Sequence, residues 1–284
     1  MNRDRDIRRV LLFVLLLNLL VAGAKLLYGH LTHSLSMWAD GLHSTFDGAS
    51  NIIGLVGIWA ASLPPDEDHP YGHRKYETFA SFGISVLLFL TCFHILLDSY
   101  RRLSSPLSTE VTPLSFGIML ATMAVNFGVM RWEQRCGRDL KSDILIADSM
   151  HTRSDLFTSL SVLVSLLATL MGWQVLDPLI AVVIAGFIGK TGFEILQEVS
   201  KVFSDSSRID PRLVREIAMR IPGIKDCHGV RTRGGLNQIY VDCHVNVHPD
   251  MTAEIAHALV HEAEDLIKKE LPEVVDVVIH VEPH

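Results

Sequence analysis

What most limits how this chain can fold is a series of apolar stretches, each about as long as a bilayer is thick. They run roughly from Val10 to Leu27, Leu35 to Ala61, Phe79 to Tyr100, Pro113 to Met130, Ile144 to Gly172 and Leu176 to Leu196. Crossing the ~30 Å hydrocarbon layer takes about 20 mostly apolar residues as an α-helix, which satisfies its own backbone hydrogen bonds. The stretches predict an α-helical membrane protein with six transmembrane helices and both termini on one side. A hydrophobic content of 49% over 284 residues and a mean hydropathy of +0.29 agree with this. The first stretch follows Arg3, Arg5, Arg8 and Arg9 but runs on to Gly29 and His30 with no small-residue cleavage pattern, so it reads as a retained anchor.

Short loops orient the bundle. Arg74 and Lys75 follow the second stretch, and Arg131, Arg135, Arg138 and Lys141 follow the fourth; the loops around His30 and Trp173 carry neither Lys nor Arg. Basic loops stay in the cytoplasm, so both termini are expected there. Arg101 and Arg102 after the third stretch argue the other way and are outnumbered. The net charge of -7 makes a nucleic-acid partner unexpected.

After Ser204 the composition becomes charged and alternating, which divides the chain into a membrane domain, 1–204, and a cytoplasmic domain, 205–284. The second part reads as helix, strand, strand, helix, strand: a small α+β, ferredoxin-like (αββαβ) domain. Asp210 before Pro211 is a helix start. Along 238–247, Ile239, Val241, Cys243, Val245 and Val247 alternate with Tyr240, Asp242, His244 and Asn246, as in a half-buried strand. Ile255, Leu259, Ala263, Leu266 and Ile267 form a helical stripe, and 274–281 closes the domain as a strand. Cys92, Cys136, Cys227 and Cys243 form no CxxC pair, so no thiolate zinc finger is readable.

The chemistry lies in an internal repeat. The pattern A-D-x-x-H-x-x-x-D occurs at Ala39, Asp40, His43 and Asp47, and again at Ala147, Asp148, His151 and Asp155. On a helix, His and Asp at i and i+4 project from one face, so two facing helices can offer four ligands to one ion. Two imidazoles and two carboxylates suit tetrahedral zinc. Satisfied core polars or helix-to-helix hydrogen bonds are the plainer explanation, but ionisable groups inside a span cost several kcal/mol and are rare without a role. For Asp40 and Asp148, a bond to a neighbouring helix stays as open as a role orienting the histidines or lining the entry route.

Two further groups can bind metal. Asp66, His69 and His73 sit within the loop after the second stretch, among Glu67, Asp68, Pro70 and Gly72. In the second domain His244 lies on the polar strand face, His280 and Glu282 share a face of the last strand, His228 opens an earlier strand, and His257 lies on the polar side of the helix. Two apparent motifs lead nowhere: His94 and Asp98 repeat the i, i+4 spacing without a partner pair, and His261-Glu262 has Asp265 where HExxH needs histidine.

Taken together, the doubled HxxxD, the segment HPYGHRKYE at 69–77, the six spans and the small terminal domain resemble the cation diffusion facilitator family, near its bacterial zinc and iron efflux members. The resemblance implies a transporter, not an enzyme. It implies a transport site at His43, Asp47, His151 and Asp155, a loop site at Asp66, His69 and His73, and a two-metal dimerisation site at His228, His244, His257, His280 and Glu282. It also implies a homodimer in the lipid of the cell inner membrane that exchanges metal ions for protons, with Zn2+ as both cargo and structural ion. Cd2+, Co2+, Fe2+ and Mn2+ are further possible cargoes. The family's bacterial iron and zinc members often have Asp at the position of His43, so the zinc-preferring branch fits better. In alternating access, Zn2+ would displace protons from His43 and His151, since a coordinating imidazole is neutral and titrates near ~6.5. A membrane-bound metal sensor signalling through the second domain is the alternative.

Overall fold

The structure is a computed structural model and describes residues 3–31, 35–104, 113–170 and 176–284. It divides into two compact units, Met1–Gln197 and Glu198–His284. Among the described residues the first unit is helical: α1 (Arg3–Leu31), α2 (Leu35–Ala61), α3 (Lys75–Ser104), α4 (Pro113–Asp139), α5 (Asp143–Leu170) and α6 (Leu176–Phe203), the last running on into the second unit. By length and composition, Arg3–Tyr28, Lys75–Arg101 and Leu179–Phe203 are long and apolar enough to cross a membrane among the described residues.

Helix packing follows from small and apolar residues. Helix α1 lies along α2, α2 touches α3 and α5, and α4 lies along α5. Their shared core holds Ile7, Leu11, Val14, Ile58, Ala80, Ile144 and Leu145. Gly57 allows α2 to approach α3 closely, because a Cβ there would overlap Ala80 Cβ. On the outside, Leu20, Phe93 and Val183 are each 60% exposed, which suits lipid and not water.

The direction of α2 against α5 can be read from contacts. Asn51 donates a hydrogen bond to Asp148, while Gly54 and Gly57 both face Ile144. Residue numbers rise along α2 as they fall along α5. The two helices are therefore antiparallel.

In the second unit, α7 (Pro211–Ala218) and α8 (Ala253–Glu270) cover one face of a three-stranded sheet. Its strands, β1 (Asp226–Gly235), β2 (Gln238–Val247) and β3 (Val274–Pro283), lie in that order, β1 antiparallel and β3 parallel to β2. Asp210 caps α7 by accepting from Arg212 N, and Thr252 caps α8 by accepting from Ile255 N. The alternation expected along β2 is present, with Ile239, Val241, Cys243, Val245 and Val247 buried. On α8 the buried stripe is Leu259, Ala263 and Ile267; Ile255 stays 56% exposed, and Met251, just before the helix, packs on that cluster.

Candidate metal centre

In the bundle, His151 and Thr152 are buried on α5, Asp155 is partly buried one turn further, and Asp148 is fully buried one turn earlier. The side chains of His43, Asp47 and Asp40 lie outside the described residues; their backbone belongs to α2, the neighbour of α5. Of the roles left open for Asp148, the structure shows the helix-to-helix bond, made with Asn51. Asn51 is itself buried, and its carbonyl accepts from Asn18 Nδ2 on α1 at 2.9 Å. Lys25, also buried on α1, donates to Ser44 Oγ on α2 at 2.9 Å.

Two residues here escaped the sequence reading. Asn51 stands four positions after Asp47, so continuing the i, i+4 spacing would have found it. Glu133 lies beyond the apolar stretch ending at Met130 and between Arg131 and Arg135, which disguised it as part of a charged helix end. It is fully buried.

In the loop, Asp66, His69 and His73 each offer a ligand atom within 4.8 Å of the others. His69 N donates to Asp66 Oδ1 at 2.7 Å, and Gly72 N to the His69 carbonyl at 2.9 Å, a turn that needs the positive φ of 81° at Gly72. The backbone bond from His69, with a smaller contribution from the His73 imidazole, holds Asp66 below its ordinary pKa. His73 is buried; its Nδ1–H donates to the Pro64 carbonyl at 3.1 Å, which leaves Nε2 facing Asp66 Oδ2 at 3.4 Å. A backbone carbonyl that fixes the ring in this way leaves the other nitrogen as a metal donor.

In the second unit, strand register builds a row. His228 pairs with His244 across β1 and β2, and His244 with His280 across β2 and β3, so three imidazoles stand side by side on the face away from the helices. Ring centroids lie 5.5 Å and 5.0 Å apart. His244 Nδ1–H donates to Glu282 Oε1 at 2.8 Å, and His228 Nε2 is 3.3 Å from Glu282 Oε2. The His244 bond, helped by the nearby imidazoles, holds Glu282 below its ordinary pKa. His228, His244 and Glu282 offer ligand atoms within 4.8 Å of one another, and two nitrogens with a carboxylate oxygen are a zinc-type donor set. A bulge between His228 and Arg231 makes room; Gly229 takes φ 62° there, and a Cβ would come within 3.3 Å of the His244 ring. His257 does not join this group within the chain. It lies on α8, which packs on the opposite face, and its Nε2 meets His261 Nε2 at 3.1 Å.

Residues 11–203 match the cation efflux transmembrane domain. The chain belongs to the cation efflux, or cation diffusion facilitator, family. Residues 207–284 match that family's cytoplasmic domain. An uncharacterised transporter of Methanocaldococcus jannaschii is 30% identical over 89% of this chain and 90% of its own length. Manganese efflux system protein MneP of Bacillus subtilis is 26% identical over 100% of this chain and 98% of its own. Cation-efflux pump FieF of Shewanella oneidensis is 28% identical over 91% and 88%. Among solved structures, the C-terminal domain of MamM in a copper form is 22% identical over 26% of this chain and 71% of its own, with a TM-score of 0.25. Cation efflux proteins are membrane transporters of divalent metal cations and not enzymes, which agrees with the expectation from the sequence.

Proposed function

We propose that this chain exports a divalent transition metal, zinc before the others, from the cytoplasm in exchange for protons, through six membrane crossings that alternate in access. The reading is carried by the antiparallel packing of α2 on α5 about the bond from Asn51 to Asp148. Asp47 precedes Asn51 by four residues and His151 follows Asp148 by three, so in opposed helices both steps lead the same way along the bundle, by about 6 and about 4.5 Å. The two HxxxD segments then run side by side. His43, Asp47, His151 and Asp155 hold the ion as two nitrogens and two oxygens, a set that favours zinc.

Both termini are cytoplasmic, and the cell inner membrane is the expected location. Two copies associate through their second domains, with zinc at His228, His244, His280 and Glu282 and with His257, screened from its own cluster by the sheet, supplied from the other copy. Asp66, His69 and His73 form a further metal site beside the mouth. Manganese is the second reading of the cargo, because the MneP and MneS relatives are named for manganese efflux.

Metal uptake by proteoliposomes under an imposed pH gradient tests the proposal. Zinc flux that grows with the gradient is expected. Manganese flux exceeding zinc would move the cargo to the second reading, and binding without flux for any ion would leave a membrane-bound sensor.

A further inference from the structure

Glu133 on α4 is completely buried, and no hydrogen-bond donor from any described side chain reaches either of its carboxylate oxygens. Helix α4 lies along α5 with Gly137 against Leu145 and Ile146 across the turn that joins them, so Glu133, four residues back along α4, and Asp148, two to three residues on along α5, stand at the same level of the bundle. Asp148 is equally buried; the amide of Asn51 occupies its Oδ2, and its Oδ1 has no donor. The arginines nearest in sequence turn away: Arg131 is exposed and lies over Phe127, and Arg135 is exposed. Two ionised carboxylates about 4 Å apart repel by about 4 kcal/mol even at an effective dielectric of ~20. Either a proton or a metal cation between them relieves that repulsion.

We propose that Glu133 and Asp148 form a second cation station, made of oxygen donors, that takes a divalent cation of the manganese and magnesium class. Both Glu133 oxygens and Asp148 Oδ1 are buried without a hydrogen-bond partner, at one level of two packed helices. Such an all-oxygen set selects harder ions than one containing imidazole does. The place suits a waiting position. Glu133 and Asp148 each lie about 8 to 9 Å of helix rise from the turn joining α4 to α5, and His151 is about 4.5 Å further along α5. A cation entering from that turn meets the oxygen pair before it reaches His151 and Asp155. This step rests on the bundle being the transport path.

The test uses the full chain in detergent micelles and Mn2+ alone, with free Mn2+ counted by its paramagnetic resonance signal. Relative to wild type, Glu133→Gln should weaken one class of Mn2+ by at least about tenfold, as loss of metal-site contacts does. Asp155→Ala should leave that class in place. Glu133→Gln also relieves the repulsion, so its metal-free melting temperature should rise while its Mn2+-dependent rise shrinks; Asp148→Asn is the second variant, with the same expected result. If both variants bind Mn2+ as wild type does, the pair merely shares a proton and the station is wrong. Flux is read separately in proteoliposomes: a wild-type protein with no flux would overturn the transport reading and leave the comparison of isotherms standing.

Discussion

Asn51 on α2 hands one amide hydrogen to Asp148 on α5 and accepts another from Asn18 on α1, so one side chain ties three helices at a single level. Asn51 and Asp148 are buried, so a lost partner leaves a buried polar group unsatisfied. The level matters because it lies one helical turn from His151. Whatever shifts Asn51 shifts the spacing of the two HxxxD segments.

Asn51→Leu should therefore lower both stability and flux. It keeps a similar volume but strips Asp148 of its donor, at a cost of about 1 to 3 kcal/mol. Thermal unfolding of the protein in micelles measures the first effect and metal uptake the second. An unchanged midpoint would mean that the bond does not organise the bundle.

His43→Asp should keep zinc flux and relax selectivity. Imidazole favours zinc over manganese, whereas carboxylate oxygen narrows the gap. The substitution takes the site from two negative charges to three, so relative flux of iron, manganese or cadmium rises, and one titrating ring is lost from the pH profile. Asp155→Ala should abolish flux. A wild-type ion ranking and pH profile in His43→Asp would remove His43 from the site.

In the second domain two pH windows should separate. Glu282 titrates below its ordinary value of 4.5 because His244 donates to it, so its contribution to folding is complete above that value and declines as pH falls through the depressed one. Zinc-dependent stabilisation is lost at higher pH than this, because protons compete with the ion for the ring nitrogens. Melting curves across pH, with and without Zn2+, read both. His244→Ala with His280→Ala should erase the zinc-dependent part, and Glu282→Gln should weaken it and erase the acid-side decline; a zinc shift surviving both would place the ion elsewhere.

Glu77 supports a different junction. It pairs with Arg3 at 3.0 Å, and Ser142 Oγ–H donates to it at 2.6 Å, joining the starts of α1 and α3 to the turn before α5. Glu77→Ala removes the doubly hydrogen-bonded partner of Arg3 and the acceptor of Ser142, while Arg3 keeps Asp4 at 3.4 Å and the carbonyls of Leu140 and Lys141, so the cost is about 1 to 3 kcal/mol. Denaturation of the variant in micelles should show a clear loss of stability. Equal midpoints for variant and wild type would contradict the junction.

Local order was legible in the residues themselves. Apolar length alone announced the helices, since a bilayer permits little else, and strict alternation over 238–247 set which face of β2 is buried. The doubled A-D-x-x-H-x-x-x-D was visible because helical periodicity links His151 to Asp155 without any knowledge of neighbours. The Asp66, His69 and His73 group was equally local, being closed by a turn of a few residues.

Relations across elements depended on the tertiary structure. Nothing in the spacing says that Asn51 meets Asp148, that Glu133 turns inward between two exposed arginines, or that His228, His244 and His280 fall in one row while His257 sits behind the sheet. Those placements follow from helix direction, strand register and close approach at Gly57, all of which are decided by how whole elements pack. The sequence alone determined which chemistry each element carries, because periodicity is a property of the backbone. Only the packed structure decided which chemistries meet, because burial and partner choice are settled by side chains distant in the chain competing for the same space.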